Sequence, residues 1–520
     1  MVGAIQDLRQ AIALIRREGP ALGLHLNERC EMWWPTAELE AAAQRPADMA
    51  WSNADGLALL GSAVGADDFM AAVFVRRTEK LSRLLHTLRE LDNAQEEFAL
   101  LRCCVGEQML GYALRTMPPK AIRSEIAAAS AALQEAVSSV ARHGLSEDAV
   151  AQASLPIKMG GLGVRVPSDT AEASFVASVV GTEQLCNGML GREAGGAMCR
   201  SGFVEALALW PGSAAASTPD PAGVRSETDL VAESQAELSP WSAERLLQER
   251  PTQAQLTRPV YVRKFARLLA RSSYIHRARL RSVARVHAGA FLEAVPIGQL
   301  KMMSTHFAVA LQLRLGAPVY AVGMPPLCPK CHKSSDRRGH HAMSCATTSD
   351  RIIKHDTVCD IVAGKGKEAG LHTQREVRNI VPDSRARPGD VVMYNWEGGR
   401  TVALDITVVS PVAETVVREA ADEGGAAAAA AELLKDDKAL EACAQQDIDF
   451  LPLALESFGG WGKLALTFFR KLGRLIAQRP GRPESLETRY MFQSMSVALQ
   501  KGNAIMIQER APEFVRIADG

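Results

Sequence analysis

The sequence predicts a multidomain protein that is mainly α-helical, with smaller α+β parts. Its 520 residues exceed the usual length of one domain and suggest several. Residues 76–150 carry apolar side chains at helical spacing, with charged side chains on the opposite face. Runs rich in β-branched residues occur within residues 391–409, so we expect a β-hairpin there, in the last part of the chain.

The composition is typical of a globular protein with sizeable apolar cores, since 47% of the residues are hydrophobic and 23% are charged. Lys plus Arg and Asp plus Glu both number 59, so the net charge predicts no polyanionic partner. No apolar run reaches the length of a membrane span, and no membrane partner is expected. The cysteines are scattered among apolar residues, which favours an intracellular, reducing compartment over a disulfide framework.

Two acidic residues accompany the predicted hairpin. Asp390 precedes the run Val391–Tyr394, a Gly-Gly turn follows, and Asp405 lies within the run Thr401–Val409. A hairpin brings the two carboxylates towards each other, where they would repel unless a cation lay between them. Mg²⁺ prefers oxygen ligands of this kind, so a magnesium site is one interpretation. A surface hairpin with two solvated acids is the alternative.

A strongly basic region lies between residues 251 and 292, which contain nine Lys or Arg residues and no acid. Such a patch would neutralise phosphates and bind nucleic acid without sequence preference. The alternative is a solvated helix face packed against an acidic neighbour. A Pro-, Ser- and Ala-rich stretch precedes it, and residues 211–250 are predicted to be a flexible linker. The residues predicted to contact nucleic acid are Arg263, Lys264, Arg267, Arg271, Arg277, Arg279, Arg281 and Arg285.

The segment from Cys328 to Cys345 has the spacing of a zinc site. Cys328 and Cys331 form a Cys-x2-Cys pair, and His341 and Cys345 form a His-x3-Cys pair. These spacings place two ligands on a tight turn and two on one face of a helical turn. Four protein ligands leave no open position, so a structural Zn²⁺ is expected. His340 or His332 is an alternative to His341.

Motifs in the first 210 residues resemble the reverse transcriptases of non-LTR retrotransposons. GLHLNERCE (Gly23–Glu31) matches that family's strand after the catalytic hairpin, and LLGSAVG (Leu59–Gly65) matches its following turn. LPIKMGGLGVRVPSDTAEASFVAS (Leu155–Ser178) resembles the end of the family's thumb. The resemblance implies a palm remnant at residues 1–75 and a helical thumb at 76–210. The palm carboxylates of the family lie upstream of these motifs, so Asp67 and Asp68 are interpreted as solvated loop acids or helix N-cap residues.

The resemblance continues towards the end of the chain. It implies a basic helical linker domain at residues 251–325, a zinc knuckle at 326–350 and an α/β restriction-endonuclease-like domain at 351–520. The family pattern Gly-x-His-Ala-x2-Cys is matched from Gly339 to Cys345 and favours His341 as the ligand. The nuclease signature is matched by Arg387, Pro388, Asp390 and Asp405, with one glycine inserted between the proline and the first aspartate.

The same resemblance assigns roles within the nuclease site. Asp390 and Asp405 would hold Mg²⁺ together with a main-chain carbonyl near Ile406. Thr407 stands where related folds often carry the catalytic lysine. Lys435, on a helix expected over Ala430–Gln446, would take that role, with Lys438 one turn further on. Glu456, His355 and Glu376 are weaker candidates for contacts at the site.

The implied function is binding of target DNA and element RNA, and metal-dependent nicking of DNA during target-primed reverse transcription. The polymerase palm would be supplied by an upstream or separate segment, and the location would be nuclear in a eukaryote. The alternative is a catalytically inactive nucleic-acid-binding remnant of a retroelement.

Overall fold

The computed structural model describes residues 5–27, 31–32, 50–51, 55–190, 200–210, 241–345, 347, 349–378, 389–434, 437–478, 481–510 and 513. Within these residues the protein is mainly helical with a small share of strand, as the sequence predicts. Residues 211–240 of the predicted linker, together with Arg387, Pro388 and Lys435, lie outside the described residues. No helix of the described ranges is long and apolar enough to cross a bilayer.

The first part of the chain is a helical assembly preceded by short strands. Strands β1 (Glu31–Met32) and β2 (Ala50–Trp51) pair in parallel, and β3 (Gly56–Leu59) and β4 (Ser62–Gly65) form an antiparallel hairpin. The helices are α1 (Ile5–Glu18), α2 (Asp67–Arg89), α3 (Ala94–Leu100), α4 (Gly111–Thr116), α5 (Arg123–Val140), α6 (Glu147–Ala153), α7 (Pro167–Leu190) and α8 (Arg200–Leu209). Asp67 and Asp68 are exposed in the first turn of α2, which confirms that they are solvated acids.

The basic region forms helices that pack on this assembly. They are α10 (Gln253–Arg271) and α11 (Tyr274–Val283); α9 (Ala243–Glu249) precedes them within the predicted linker, and α12 (Ser304–Leu315) follows them. Thr252 caps α10: its hydroxyl accepts from the Gln255 N–H, and the Gln255 side chain accepts from the Thr252 N–H. This capping box satisfies two helix-start donors and fixes where α10 begins. Apolar residues of α12 share one core with α2, α3 and α5.

The last part of the chain is an α/β unit. The helices are α13 (His340–Ser344), α14 (Asp350–Glu368), α15 (Val417–Asp422), α16 (Ala426–Leu433), α17 (Asp437–Ala444), α18 (Lys463–Ala477) and α19 (Glu484–Gln508). The strands are β5 (His372–Arg375), β6 (Val391–Tyr394), β7 (Thr401–Val409) and β8 (Ile448–Glu456), in the spatial order β5-β6-β7-β8. Strands β5, β6 and β7 are antiparallel, whereas β7 and β8 are parallel and are connected through α15, α16 and α17.

The predicted hairpin is present with the expected bounds. Val402, Leu404 and Ile406 of β7 face one apolar core, which α14, α18 and α19 cover. Ala403 faces the opposite side, where α17 packs through Cys443. This alternation follows from the period of two in a strand, and it orients Asp405 away from the larger core.

Two predicted elements differ from the observed ones. The strand expected at 374–381 is observed at His372–Arg375, and residues 379–381 lie outside the described residues. The single helix expected over Ala430–Gln446 is wrong, because α16 ends at Leu433 and α17 begins at Asp437. A run of helix-favouring residues predicts helix content, but packing of each segment against β8 determines where a helix ends.

Candidate functional site

The four predicted zinc ligands lie together. One ligand atom from each of Cys328, Cys331, His341 and Cys345 falls within 4.8 Å of the others. Cys331 Sγ lies 3.1 Å from His341 Nε2. Cys328 and Cys345 are buried, and the other two are partly exposed. Three sulfur atoms and one imidazole nitrogen form a tetrahedral donor set that fits zinc, so this cluster could hold a zinc-like ion.

Local hydrogen bonds build this knuckle. The Cys328 N–H donates to the Lys333 carbonyl at 2.8 Å, and the His332 N–H donates back to the Cys328 carbonyl at 2.9 Å. Asp336 accepts from the backbone N–H of His341 at 2.8 Å and so anchors the start of α13. Because α13 is helical, His341 and Cys345 lie one turn apart on the same side.

The environment of Cys345 favours the thiolate that metal binding requires. Burial alone would raise the pKa of its thiol, but hydrogen bonds from the Thr347 backbone and the Arg510 side chain lower the pKa to about 6. Arg510 is itself held by Asp350 at 2.8 Å.

His341, rather than either alternative histidine, belongs to the cluster. His340 is turned away, with its ring edge-to-face against Phe458 at 6.0 Å between centroids, and burial lowers its pKa. His332 is exposed on the turn between the two ligand pairs. The described cluster therefore supports the assignment favoured by the sequence.

The hairpin brings Asp390 and Asp405 to adjacent strands. Val391 of β6 pairs with Leu404 of β7, so each aspartate is the immediate neighbour of one member of this pair. The Asp390 N–H donates to the Leu404 carbonyl at 2.8 Å, and its carbonyl accepts from the Glu376 N–H at 3.0 Å. Glu376 thus follows the end of β5, Asp390 precedes the start of β6, and Asp405 lies in the middle of β7.

The carboxylate of Asp390 is fixed against the edge of β7. Because β6 begins at Val391, it provides no partner for Ile406 on that edge. Asp390 Oδ2 accepts from the Ile406 N–H at 2.7 Å. His355 Nε2, on α14, lies 2.9 Å from the Ile406 carbonyl oxygen and 3.3 Å from Asp390 Oδ2. The hydrogen bond with Asp390, helped by Cys359, raises the pKa of His355 to about 11.

A second group of possible metal ligands is centred on Asp390, and it differs from the predicted pair. It consists of His355, Cys359 and Asp390, whose ligand atoms lie within 4.8 Å of one another. The partly buried Asp405 is instead within 3.4 Å of the Thr407 hydroxyl, which donates to its carboxylate. Sequence reasoning singled out His355 only weakly and missed Cys359. The signal was available, since His355-x3-Cys359 repeats the His-x3-Cys spacing of the knuckle.

Lys435, Glu376 and Glu456 are also predicted for this site. Lys435 lies outside the described residues, and its role stays a prediction. Glu376 is exposed next to β5. Glu456 is buried, and burial raises its pKa. Asp405 pairs with Pro452, so Glu456 lies four residues further along β8, about 13 Å away, and does not reach the two aspartates.

The basic residues do not form one exposed patch. Arg267 and Arg271 are exposed, and Arg263, Lys264, Arg277 and Arg285 are partly exposed. The Lys264 ammonium donates to Asp169 at 2.6 Å and to Ser154 at 2.9 Å, so an acidic neighbour neutralises its charge. Arg271 lies 3.7 Å from Asp148.

The expectation that Arg279 and Arg281 face nucleic acid is wrong, because both are buried. Arg279 donates to the side chain of Gln152 at 2.9 Å and to the Arg314 carbonyl. Arg281 donates to the Ala421 carbonyl at 2.8 Å. Both guanidinium groups connect α11 to neighbouring segments. A charge run in the sequence does not distinguish such internal arginines from surface ones.

A cationic cleft of about 680 Å³ lies between α4, α7 and the start of α10. No Asp or Glu is among the described residues that line it. Tyr261 lines it too, is 5% exposed, and has a buried hydroxyl without a hydrogen-bond partner among the described residues. The basic residues that line the cleft are Arg115, Lys158, Arg165, Arg250 and Arg258. Of these, Arg258 alone lies in the predicted basic region. Sequence reasoning missed the others because they are widely separated along the chain.

Comparison of the sequence with models of protein families and with curated proteins gives no match.

Proposed function

We propose that this protein binds nucleic acid and nicks DNA with a divalent metal ion at Asp390 and Asp405, where the start of β6 meets the middle of β7. The observation that carries the proposal is the placement of these two acids on adjacent strands, with the Asp390 carboxylate held against the backbone of Ile406. The resemblance to restriction-like nucleases of non-LTR retrotransposons supports the same reaction. In such an element the nick would provide the primer for a polymerase palm.

The donors at this site include oxygen atoms of the type that Mg²⁺ prefers: the two carboxylates and the Ile406 carbonyl. His355 Nε2 and Cys359 Sγ, which lie beside Asp390, do not suit Mg²⁺. A bound divalent ion would supply charge neutralisation at the scissile phosphate and a lowered pKa for a water molecule. The role of the protein is to fix Asp390 through the Ile406 N–H and to supply Asp405 from β7.

The cationic cleft supports the nucleic-acid-binding part of the proposal. Five basic side chains without an acidic lining residue would neutralise phosphates. Hydroxyl-bearing residues Ser174, Ser178 and Thr252 also line the cleft and are suited to phosphate contacts. The knuckle would add a rigid surface element next to the α/β unit.

The test is nicking of supercoiled plasmid by the full chain, with added divalent ions or with a chelator. We expect metal-dependent nicking that falls about 100-fold or more in Asp405→Asn, because a carboxylate at the metal site is lost. Asp449→Asn is the matched control, since Asp449 contacts Arg400 at 2.6 Å near the opposite end of β7 and β8. Binding of labelled duplex DNA should be unchanged in both variants. Equal nicking by the wild type and Asp405→Asn rejects the assignment.

A second candidate function is nucleic-acid binding without cleavage. The observation in its favour is that Asp405 is not part of the ligand group at Asp390, while the His355 imidazole lies between Asp390 and the Ile406 carbonyl. Wild-type protein that binds duplex DNA tightly but does not nick it with any divalent ion would establish this function instead.

A further inference from the structure

Three side chains from two elements converge at one point of the α/β unit. His355 and Cys359 lie one turn apart on α14, and both face the chain at Asp390, just before β6. Cys359 is buried, whereas the side chains of His355 and Asp390 are 30% and 27% exposed. The group is therefore accessible from solvent at one side and closed by the core at the other.

Two of the three separations between these atoms match the edges of a metal tetrahedron. Cys359 Sγ lies 3.7 Å from His355 Nε2, and His355 Nε2 lies 3.3 Å from Asp390 Oδ2. Ligands held about 2.0–2.3 Å from zinc at tetrahedral angles are separated by about 3.3–3.7 Å from one another. The Ile406 carbonyl oxygen, 2.9 Å from His355 Nε2, is near enough to be a further donor.

We propose that His355, Cys359 and Asp390 form a binding site for a borderline divalent ion such as Zn²⁺ or Co²⁺. Thiolate and imidazole donors select these ions over Mg²⁺, which requires oxygen ligands. Three protein ligands are the number found in catalytic zinc sites, whereas the knuckle supplies four. A role of this ion in DNA nicking rests on the proposed function. The existence of the site is independent of that function.

The competing explanation is purely structural. In that case His355 and Asp390 form an ion pair that covers the edge of β7, and Cys359 is a core thiol that happens to lie beside them. The two explanations differ in one property, because only a metal site makes Cys359 a ligand.

The experiment is titration of the full chain with Co²⁺ after the knuckle has been filled with one equivalent of Zn²⁺. We expect one further equivalent of Co²⁺ to bind and to give a thiolate-to-cobalt charge-transfer absorption. Cys359→Ser should abolish this absorption and weaken Co²⁺ binding at least tenfold. Cys443→Ser is the matched control, since Cys443 is a buried thiol of the same α/β unit outside the ligand group.

A second variant keeps the test decisive if Cys359→Ser does not fold. His355 is partly exposed, so His355→Gln is expected to fold and to weaken Co²⁺ binding at least tenfold. Wild-type protein without the charge-transfer absorption, or an absorption that persists in both variants, overturns the site.

Parallel nicking assays separate this inference from the proposed function. Cobalt binding through Cys359 without nicking by any ion supports the site and contradicts the nuclease. Nicking that depends on Mg²⁺ in protein without the cobalt absorption supports the nuclease and overturns the site.

Discussion

Gly389 lies where the chain before β6 comes close to the backbone of β7. A Cβ atom at this position would lie 2.7 Å from the Leu404 carbonyl oxygen and 2.9 Å from its carbon. The chain therefore passes directly over the backbone of β7 just before Asp390. The lack of a side chain at Gly389 permits this approach and brings Asp390 within reach of the Ile406 N–H.

Gly389→Ala is expected to displace Asp390 and to destabilise the protein by about 1–3 kcal/mol, because rigid backbone atoms cannot make room for the methyl group. The midpoint of urea denaturation measures the loss. Gly364→Ala is the control, since nothing lies within 4 Å of a Cβ placed on Gly364 in α14. Equal stability of the two variants would contradict the close approach.

His287 provides a pH-dependent contribution to stability. Its ring stacks on Phe492 with 3.8 Å between centroids, and burial, helped by Arg470, lowers its pKa to about 4. The pKa of a histidine in an unfolded chain is about 6.5. Between these two values the unfolded chain binds more protons, so this part of the stability is present above pH 6.5 and is lost as the pH falls towards 4.

His287→Asn is expected to reduce the thermal midpoint at pH 7 and to show a smaller further decrease at pH 4.5 than the wild type. Asparagine tolerates the positive φ of 62° at this position and does not titrate. Thermal unfolding followed by circular dichroism at both pH values measures the difference. A gap between the two proteins that is independent of pH would contradict the assignment.

At the scale of elements, the knuckle is packed into the protein rather than appended to it. Ala342 and Met343 of α13 share a core with Ala504 and Ile507 of α19. The Met343 carbonyl accepts from the buried Lys354 ammonium at 3.3 Å. Folding of this segment is therefore linked to the position of α19, and a metal ion bound by the cluster would stabilise the same segment.

Cys345→Ser is expected to release one equivalent of zinc and to destabilise the protein by about 3 kcal/mol or more, since a structural zinc site contributes to folding. Elemental analysis and thermal unfolding provide the measurements. Cys186→Ser is the control because Cys186 is exposed and outside the cluster. Unchanged zinc content in Cys345→Ser would show that the cluster does not bind the metal.

The elements that sequence reasoning predicted best are those defined by local spacing. Neighbouring residues alone define the β6–β7 hairpin and the two ligand pairs of the knuckle, Cys-x2-Cys and His-x3-Cys. The hairpin and both ligand pairs were placed correctly. The parallel pairing of β7 with β8 could not be predicted in this way, because 38 residues separate Val409, the last residue of β7, from Ile448, the first residue of β8. For the same reason the cleft cations that lie outside the basic region were missed.

At the scale of the whole molecule, the cationic cleft joins residues from distant parts of the chain. We expect Arg115→Gln with Arg165→Gln to weaken DNA binding and to reduce the slope of log K against log salt concentration by about 2, or about 0.9 per lost phosphate contact. Fluorescence anisotropy over a range of salt concentrations measures the slope. Arg9→Gln with Lys80→Gln, which replaces exposed cations outside the cleft, should leave it unchanged. Equal slopes in both double variants would exclude the cleft as the binding surface.

The helix α19 contributes side chains to three cores: Val497 to the core of the first part of the chain, Phe492 to that of the sheet, and Ile507 to that of the knuckle. Each core stays incomplete until this helix is added, although every other described helix and strand is translated earlier. On the ribosome, the nascent chain would therefore expose apolar surface from all three cores at once. We therefore expect the nascent chain to bind chaperones during translation and the protein to aggregate when α19 is deleted.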